Sequence, residues 1–129
     1  MSTDENKAVV RRFLDAYNKR DTQGLKDAAT TDLARQFIEV AIPKNSATWA
    51  DERYEITEIV AEGDKVWARI TSSGRQIGEA YGLPPTGKTF SGPSILFLRV
   101  VVGKVSEVAG LGDVLWQVRQ LGGKIVPAT

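Results

Sequence analysis

Histidine and cysteine are both absent from these 129 residues, which limits the chemistry before any pattern is read. Disulfides, thiolate nucleophiles and cysteine or histidine metal sites are excluded. Serine–histidine catalysis cannot be assembled either. The side chain that titrates near neutrality is missing, so a general acid or base must be Asp, Glu, Lys, Tyr or a bound water. No metal ion or organic cofactor is expected. Among the groups that remain, Arg69 alternates in phase with Trp67 and Thr71. If that face lines a pocket, Arg69 can hold a substrate oxyanion; if it is the outer face, Arg69 is a solvated charge. Tyr17 can donate a hydrogen bond to a substrate carbonyl. Trp67, Tyr81, Phe97 and Trp116 are candidate substrate-binding aromatics, with ordinary core packing as the competing explanation for each. Asp113 follows Gly112 and opens a helical run, so by position it reads as a helix cap.

One motif invites a nucleotide. Gly82-Leu83-Pro84-Pro85-Thr86-Gly87-Lys88-Thr89 matches G-x-x-x-x-G-K-[ST] letter for letter. That pattern needs a strand before it and a helix after it, whose N-terminus holds the phosphate. Here Thr89 leads into Ser91-Gly92-Pro93 and then a strand pattern. Pro84 and Pro85 also remove two N–H groups from the cradle. The stretch reads as a rigid proline loop.

The elements that must position these groups are legible in outline. Ser2-Thr3-Asp4-Glu5 is a capping box, and Val9, Val10, Phe13, Leu14 and Tyr17 follow at helical spacing, which predicts a helix over 4–19. Asp21 caps a second short helix through Ala29. Asp32 caps a third, with Leu33, Phe37 and Val40 inward. Residues 41–52, with Pro43, Asn45 and Ser46, read as a loop. Strand patterns follow: Arg53–Ala61 with a bulge near Glu58, Val66–Ser72, Ser94–Val102 and Val105–Leu111. Turns at 62–65 and Gly103-Lys104 join neighbours, residues 77–88 form a loop, and a short helix spans Asp113–Leu121 before Gly122-Gly123. Helices first and an antiparallel meander afterwards argue for a single α+β domain over 1–129.

Composition adds exclusions. Net charge is +1, divided as −3 over residues 1–65 and +4 over 66–129. That gives no general attraction to nucleic acid or an anionic membrane. Residues 1–20 lack a signal-peptide core and no segment approaches 18 consecutive apolar residues, so a cytoplasmic protein is expected. The apolar Val100-Val101-Val102 run suggests core and contact surface, hence a homodimer.

A family resemblance rests on Ala61-Glu62-Gly63-Asp64-Lys65-Val66, Arg69, Gly78-Glu79, the Gly82–Lys88 loop, Gly103-Lys104-Val105 with Glu107, Asp113, and Gln120-Leu121-Gly122. This set, with Tyr17-Asn18 and Asp21 in the opening segment, resembles the SnoaL-like polyketide cyclases of the nuclear-transport-factor-two-like superfamily. The resemblance implies a cone: a curved antiparallel sheet wrapped around N-terminal helices with an internal pocket. It implies cofactor-independent acid/base chemistry, of the aldol-cyclisation, isomerisation or dehydration type, on a hydrophobic oxygenated small molecule. Asp113 matches the family's acid/base carboxylate, and Arg69 or Tyr17 would then stabilise an enolate. Several features depart from the pattern. Glu107-Val108-Ala109 stands where cyclases often read Glu-His-Trp. Leu96 and Leu98 replace polar pocket groups, and the 32–53 section is short. Limonene-type epoxide hydrolases of the superfamily use an Asp-Arg-Asp set, whereas Thr71 stands two beyond Arg69. A non-catalytic binding module and an epoxide hydrolase are therefore the alternatives.

Overall fold

The computed structural model describes residues 2–128. Among them five α-helices and four strands follow in order: α1 Thr3–Lys19, α2 Thr22–Ala28, α3 Thr31–Gln36, α4 Ile42–Thr48, β1 Trp49–Glu62, β2 Lys65–Gln76, β3 Thr89–Val101, β4 Lys104–Gly112 and α5 Val114–Gln120. The strands form one antiparallel sheet in the order β1-β2-β3-β4. The architecture is α+β, as the order of patterns implies.

The capping box opens α1. Ser2 Oγ accepts from the Glu5 amide at 3.1 Å, and the Ser2 amide donates to Glu5 Oε1 at 3.2 Å. Val9, Val10, Phe13, Leu14 and Tyr17 are all buried, so the 3.6-residue stripe is the core face. It packs against the sheet side carrying Val66, Ala68, Ile70, Leu96 and Leu98. Arg20 then takes a left-handed conformation, φ 54°, and Asp21 caps α2 through the Gly24 amide at 3.0 Å. Asn18 ties helix to sheet, accepting from the Tyr54 amide at 2.8 Å and donating to the Tyr54 carbonyl at 2.7 Å.

Two sequence expectations fail between residues 30 and 52. Thr30, not Asp32, stands at the start of α3, and Val40 is 59% exposed. The exposure of Val40 follows from a π-helical turn over Phe37–Ala41. It inserts one extra residue per turn and shifts the inward phase to Phe37, Ile38 and Ile42. The expected loop at 41–52 is instead α4 followed by the start of β1. Pro43 stands in a continuous helical run over 31–48, directly after the π turn, whose wider spacing accommodates the residue that lacks an N–H.

The sheet bends at its irregularities. In β1 Thr57 is an extra residue between the pairs Ile56–Ile70 and Glu58–Arg69, at the bulge expected near Glu58. A second bulge places Asp51 and Glu52 opposite Gly74, with Asp51 at φ 57°. A third irregularity separates Arg99 from Val100. Bulges sharpen the local twist and curve the strand. Pro93 is tolerated inside β3 because β4 pairing stops at Ser94–Gly112, leaving β3 an open side at that point. The Val102-Gly103 turn has both residues at positive φ, and Val100 is buried while Val102 is 88% exposed.

The proline loop is held from within by Gln76, which is fully buried. Its amide nitrogen donates to the Gly78 and Leu83 carbonyls, both at 3.1 Å. Its oxygen accepts from the Thr86 amide at 3.2 Å and hydroxyl at 2.7 Å. The Gly82, Leu83, Gly87 and Lys88 amides donate to groups of the protein as well. No N–H cradle remains for a phosphate, and β3 rather than a helix follows Lys88.

Candidate active site

A cavity of about 310 Å³ opens between the upper half of the sheet, α4, the proline loop and α5. Its wall combines apolar side chains (Trp49, Ile70, Phe90, Leu96, Trp116) with glycines at 92, 110 and 112. The polar contributors include Asn45, Glu52, Ser72, Tyr81, Ser94, Asp113 and Gln117. The volume is at the lower end of small-molecule sites, and the mostly apolar wall with few polar groups is their usual composition.

Asp113 lies on this wall. It is the N-cap of α5, its Oδ1 accepting from the Trp116 amide at 3.0 Å, and it is exposed. The cap expectation and the cavity position therefore coincide in one residue. Its other oxygen has no partner among the described residues. Trp116 and Tyr81 also line the cavity. The Trp116 indole donates to the Ser91 carbonyl at 3.3 Å, and its ring lies over Gly92, where an added Cβ would approach to 3.1 Å. The Tyr81 hydroxyl donates to Gln117 Oε1, which fixes the amide with its NH₂ end free. Burial pushes the Tyr81 phenol up from its ordinary value.

Three expected site residues lie elsewhere. Val66, Ala68 and Ile70 take the inner face of β2, so period two sends Trp67, Arg69 and Thr71 outward. Arg69 is exposed on the convex face, level with Glu58 and Ile95. Trp67, 48% exposed, and Phe97 pack on each other at 4.9 Å on that same face. None of the three reaches the cavity. Glu107 also points away, pairing with Arg99 at 3.2 Å.

Tyr17 occupies a place that its sequence position does not reveal. It is 1% exposed, stacked on Tyr54 at 5.1 Å and edge-on to Phe37. Its hydroxyl donates to Glu52 Oε1 at 2.6 Å and accepts from Asn45 Nδ2 at 2.9 Å. The proton assigned to a substrate carbonyl is thus committed to Glu52. Burial, then the bond to Glu52 and its charge, push the Tyr17 phenol up to about 12. Burial and the charge of Glu52 also raise Tyr54. Arg20 completes the cluster, 2.8 Å from Glu52 Oε1 and stacked over the Tyr17 ring.

Sequence reasoning missed Gln117, Ser72 and Ser94 on the cavity wall, and with them Glu52 and Asn45, both inside the stretch read as a loop. The bulge at Asp51-Glu52 aims the carboxylate inward, a local device that alternation cannot show.

The family model for SnoaL-like polyketide cyclases matches residues 7–121. The chain belongs to the SnoaL-like polyketide cyclase family. It is 33% identical over 131 aligned positions to the aklanonic acid methyl ester cyclase AcmA of Streptomyces galilaeus, covering 92% of this chain and 91% of that one. Among solved structures it is similar to TsrD from Streptomyces laurentii, with a TM-score of 0.78, 28% identity and coverage of 95% and 98%. A nuclear-transport-factor-two-like protein of Burkholderia thailandensis matches with a TM-score of 0.72 at 18% identity, covering 94% of this chain and 98% of its own. The curved sheet and helices are thus the nuclear-transport-factor-two-like fold. No helix is long and apolar enough to cross a membrane.

Proposed function

We propose that the chain closes a ring in an oxygenated polyketide intermediate by an intramolecular aldol reaction, with Asp113 as the proton-transfer group. The Asp113 carboxylate takes a proton from a carbon activated by neighbouring carbonyls. The resulting enolate carbon bonds to a ketone carbon of the same molecule. The C=O electron pair becomes an alkoxide, which takes the proton back. Atoms and charge balance without a co-reactant. The Gln117 NH₂, fixed by Tyr81, is the donor available to the enolate oxygen, the part that Arg69 and Tyr17 do not reach. The observation that carries this reading is Asp113 itself: on the cavity wall, one oxygen held by the helix it caps, the other free. Similarity to cyclases named for aklanonic acid methyl ester supports the substrate class.

The test is Asp113→Asn offered aklanonic acid methyl ester, with ring closure followed by chromatography. Turnover should fall by on the order of 10²–10⁴, the range for general acid–base catalysis. Thermal stability should hold, since Asn caps as well as Asp. Full activity would remove Asp113 from the mechanism. One observation favours the rival reading of a non-catalytic binding module: Asp113 is exposed and already employed as a cap. Ligand binding by the wild type with no turnover would decide for it. Epoxide hydrolysis loses support because no arginine lines the cavity among the described residues.

The same reading includes a homodimer. Val60, Trp67, Ile95 and Leu111 are 40–78% exposed. All lie on the convex face of the sheet, an apolar surface that a second chain would cover.

A further inference from the structure

The cavity holds a second carboxylate that the proposed ring closure leaves unused. The Glu52 side chain is only 5% exposed, yet it forms part of the cavity wall. Its two oxygens are unequal. Oε1 receives the Tyr17 hydroxyl at 2.6 Å and the Arg20 guanidinium at 2.8 Å. Oε2 receives only the Tyr54 hydroxyl, at 3.4 Å, beyond the distance of a strong O–H···O bond. A carboxylate offers about four acceptor positions, so Oε2 is under-used. Asn45 adds to this. Its NH₂ donates to Tyr17, which leaves its oxygen without a partner among the described residues, again on the cavity wall.

The donors that meet Glu52 are turned to it. Tyr17 and Tyr54 both direct their protons at Glu52, and Arg20 bonds Glu52 and the Tyr17 carbonyl. Glu52 Oε2 and the Asn45 oxygen are thus the under-used acceptors of two residues that line the cavity. The strand order adds the geometry. Glu52 belongs to β1 and Asp113 follows β4, the two opposite edges of the sheet. The two carboxylates therefore reach one cavity from opposite sides, with Ile70, Ser94 and Leu96 on the strands between them.

We propose that Glu52 and Asn45 form an acceptor subsite that seats a neutral hydroxyl of the ligand, a phenol or enol O–H. This rests on the reading of the cavity as the substrate site. A methyl ether at that position supplies no proton and strips Oε2 of water without replacing the bond. A ligand carboxylate there meets a like charge in a confined space.

The test uses three probes of one skeleton: 2-naphthol, 2-methoxynaphthalene and 2-naphthoate, titrated at pH 7 by calorimetry. Wild-type protein should bind 2-naphthol on the order of ten- to a hundredfold more tightly than the methyl ether, the range for a hydrogen bond to a charged group. The naphthoate should bind most weakly. In Glu52→Gln the oxygen can stay with Tyr17 and Arg20 while an NH₂ turns to the cavity, so the preference should vanish or reverse. The double variant Arg20→Gln, Glu52→Gln removes both charges of the buried pair and should show the same loss; circular dichroism checks that each variant is folded.

Equal binding of naphthol and its ether by the wild type overturns the subsite, whatever the variants do. Retained preference in either folded variant overturns it as well. A preference lost in Asp113→Asn but kept in Glu52→Gln would place the hydroxyl at Asp113 instead. The two proposals fail separately. Ring closure that depends on Asp113 without any O–H preference leaves the cyclase standing and sinks the subsite. An O–H preference in a protein with no turnover does the reverse. Binding of none of the three probes counts against the subsite directly.

Discussion

Replacing Tyr17 with phenylalanine removes one oxygen and nothing else. The ring keeps its stacking on Tyr54 at 5.1 Å, its edge contact with Phe37 at 5.8 Å and the Arg20 guanidinium at 4.4 Å. What is lost is a 2.6 Å bond to a carboxylate and the acceptor for Asn45. A hydrogen bond to a charged group contributes about 1.5–3 kcal/mol. Asn45 is half-buried and can turn to water, so a total cost of about 2–4 kcal/mol at pH 7 is expected. The alkaline range supplies a second signature. In the unfolded chain the Tyr17 phenol ionises near its ordinary value of 10.0, and in the folded chain only at about 12. A phenol raised on folding contributes stability that is complete below pH 10 and lost as pH rises through 12. Two pH units correspond to roughly 2.7 kcal/mol. Tyr17→Phe lacks that dependence, so the gap between variant and wild type should narrow from pH 10 to 12. Urea unfolding across pH 7–12 measures it, with an unchanged denaturant slope showing that only stability has moved. A neutral-pH difference under about 0.5 kcal/mol, or a gap that stays flat above pH 10, would refute the placement of the hydroxyl.

Other consequences are as direct. Gln76→Leu breaks four buried hydrogen bonds at about 1 kcal/mol each, so it should cost about 3–5 kcal/mol and admit proteolysis within residues 77–88 before the rest of the fold. Limited digestion followed by mass spectrometry reads this, and a loop as resistant as wild type would contradict the clamp. Gly78→Ala drives a Cβ to 2.4 Å from the Ala47 carbonyl oxygen, a backbone atom that cannot turn aside. A loss of about 1–3 kcal/mol is expected in thermal unfolding. Trp67→Glu puts a charge in the convex apolar face, and sedimentation should show single chains where the wild type shows pairs. A wild type that already sediments as single chains would remove the dimer.

The helix over residues 3–19 and the meander were legible because each repeats one signal over many residues. The Ser2–Glu5 box and the Val9–Tyr17 stripe point to the same helix, and Val66-Ala68-Ile70 marks one face of a strand. Alternation also showed that Trp67 and Arg69 share a face, but period two does not say which face is inside. That is settled by Val66, Ala68 and Ile70 joining the buried core, a packing fact. The Asp113 cap was legible because Gly-Asp before a helical run is local. Glu52 was not. Its role depends on a bulge, on a left-handed Asp51 and on Arg20 and Tyr17 more than thirty residues earlier. Pro43 and Asn45 carry turn chemistry that tertiary packing overrides, and the π turn at 37–41 shifts a helical phase that sequence spacing assumes constant.

Gly92, Gly110 and Gly112 stand in the paired strands of the cavity wall, where a side chain would stabilise the sheet. Glycine inside a strand is less stable than alanine by roughly 0.5–1 kcal/mol. At these three positions a Cβ would press on Trp116, Leu96 or Ser94, side chains that can give way, rather than on backbone. Selection for heat resistance alone would therefore find alanine acceptable here, and each added methyl would take its volume from the ligand. A thermostabilised descendant of this chain obtained without selection for activity should carry substitutions at these glycines, keep its fold, and accept progressively smaller molecules.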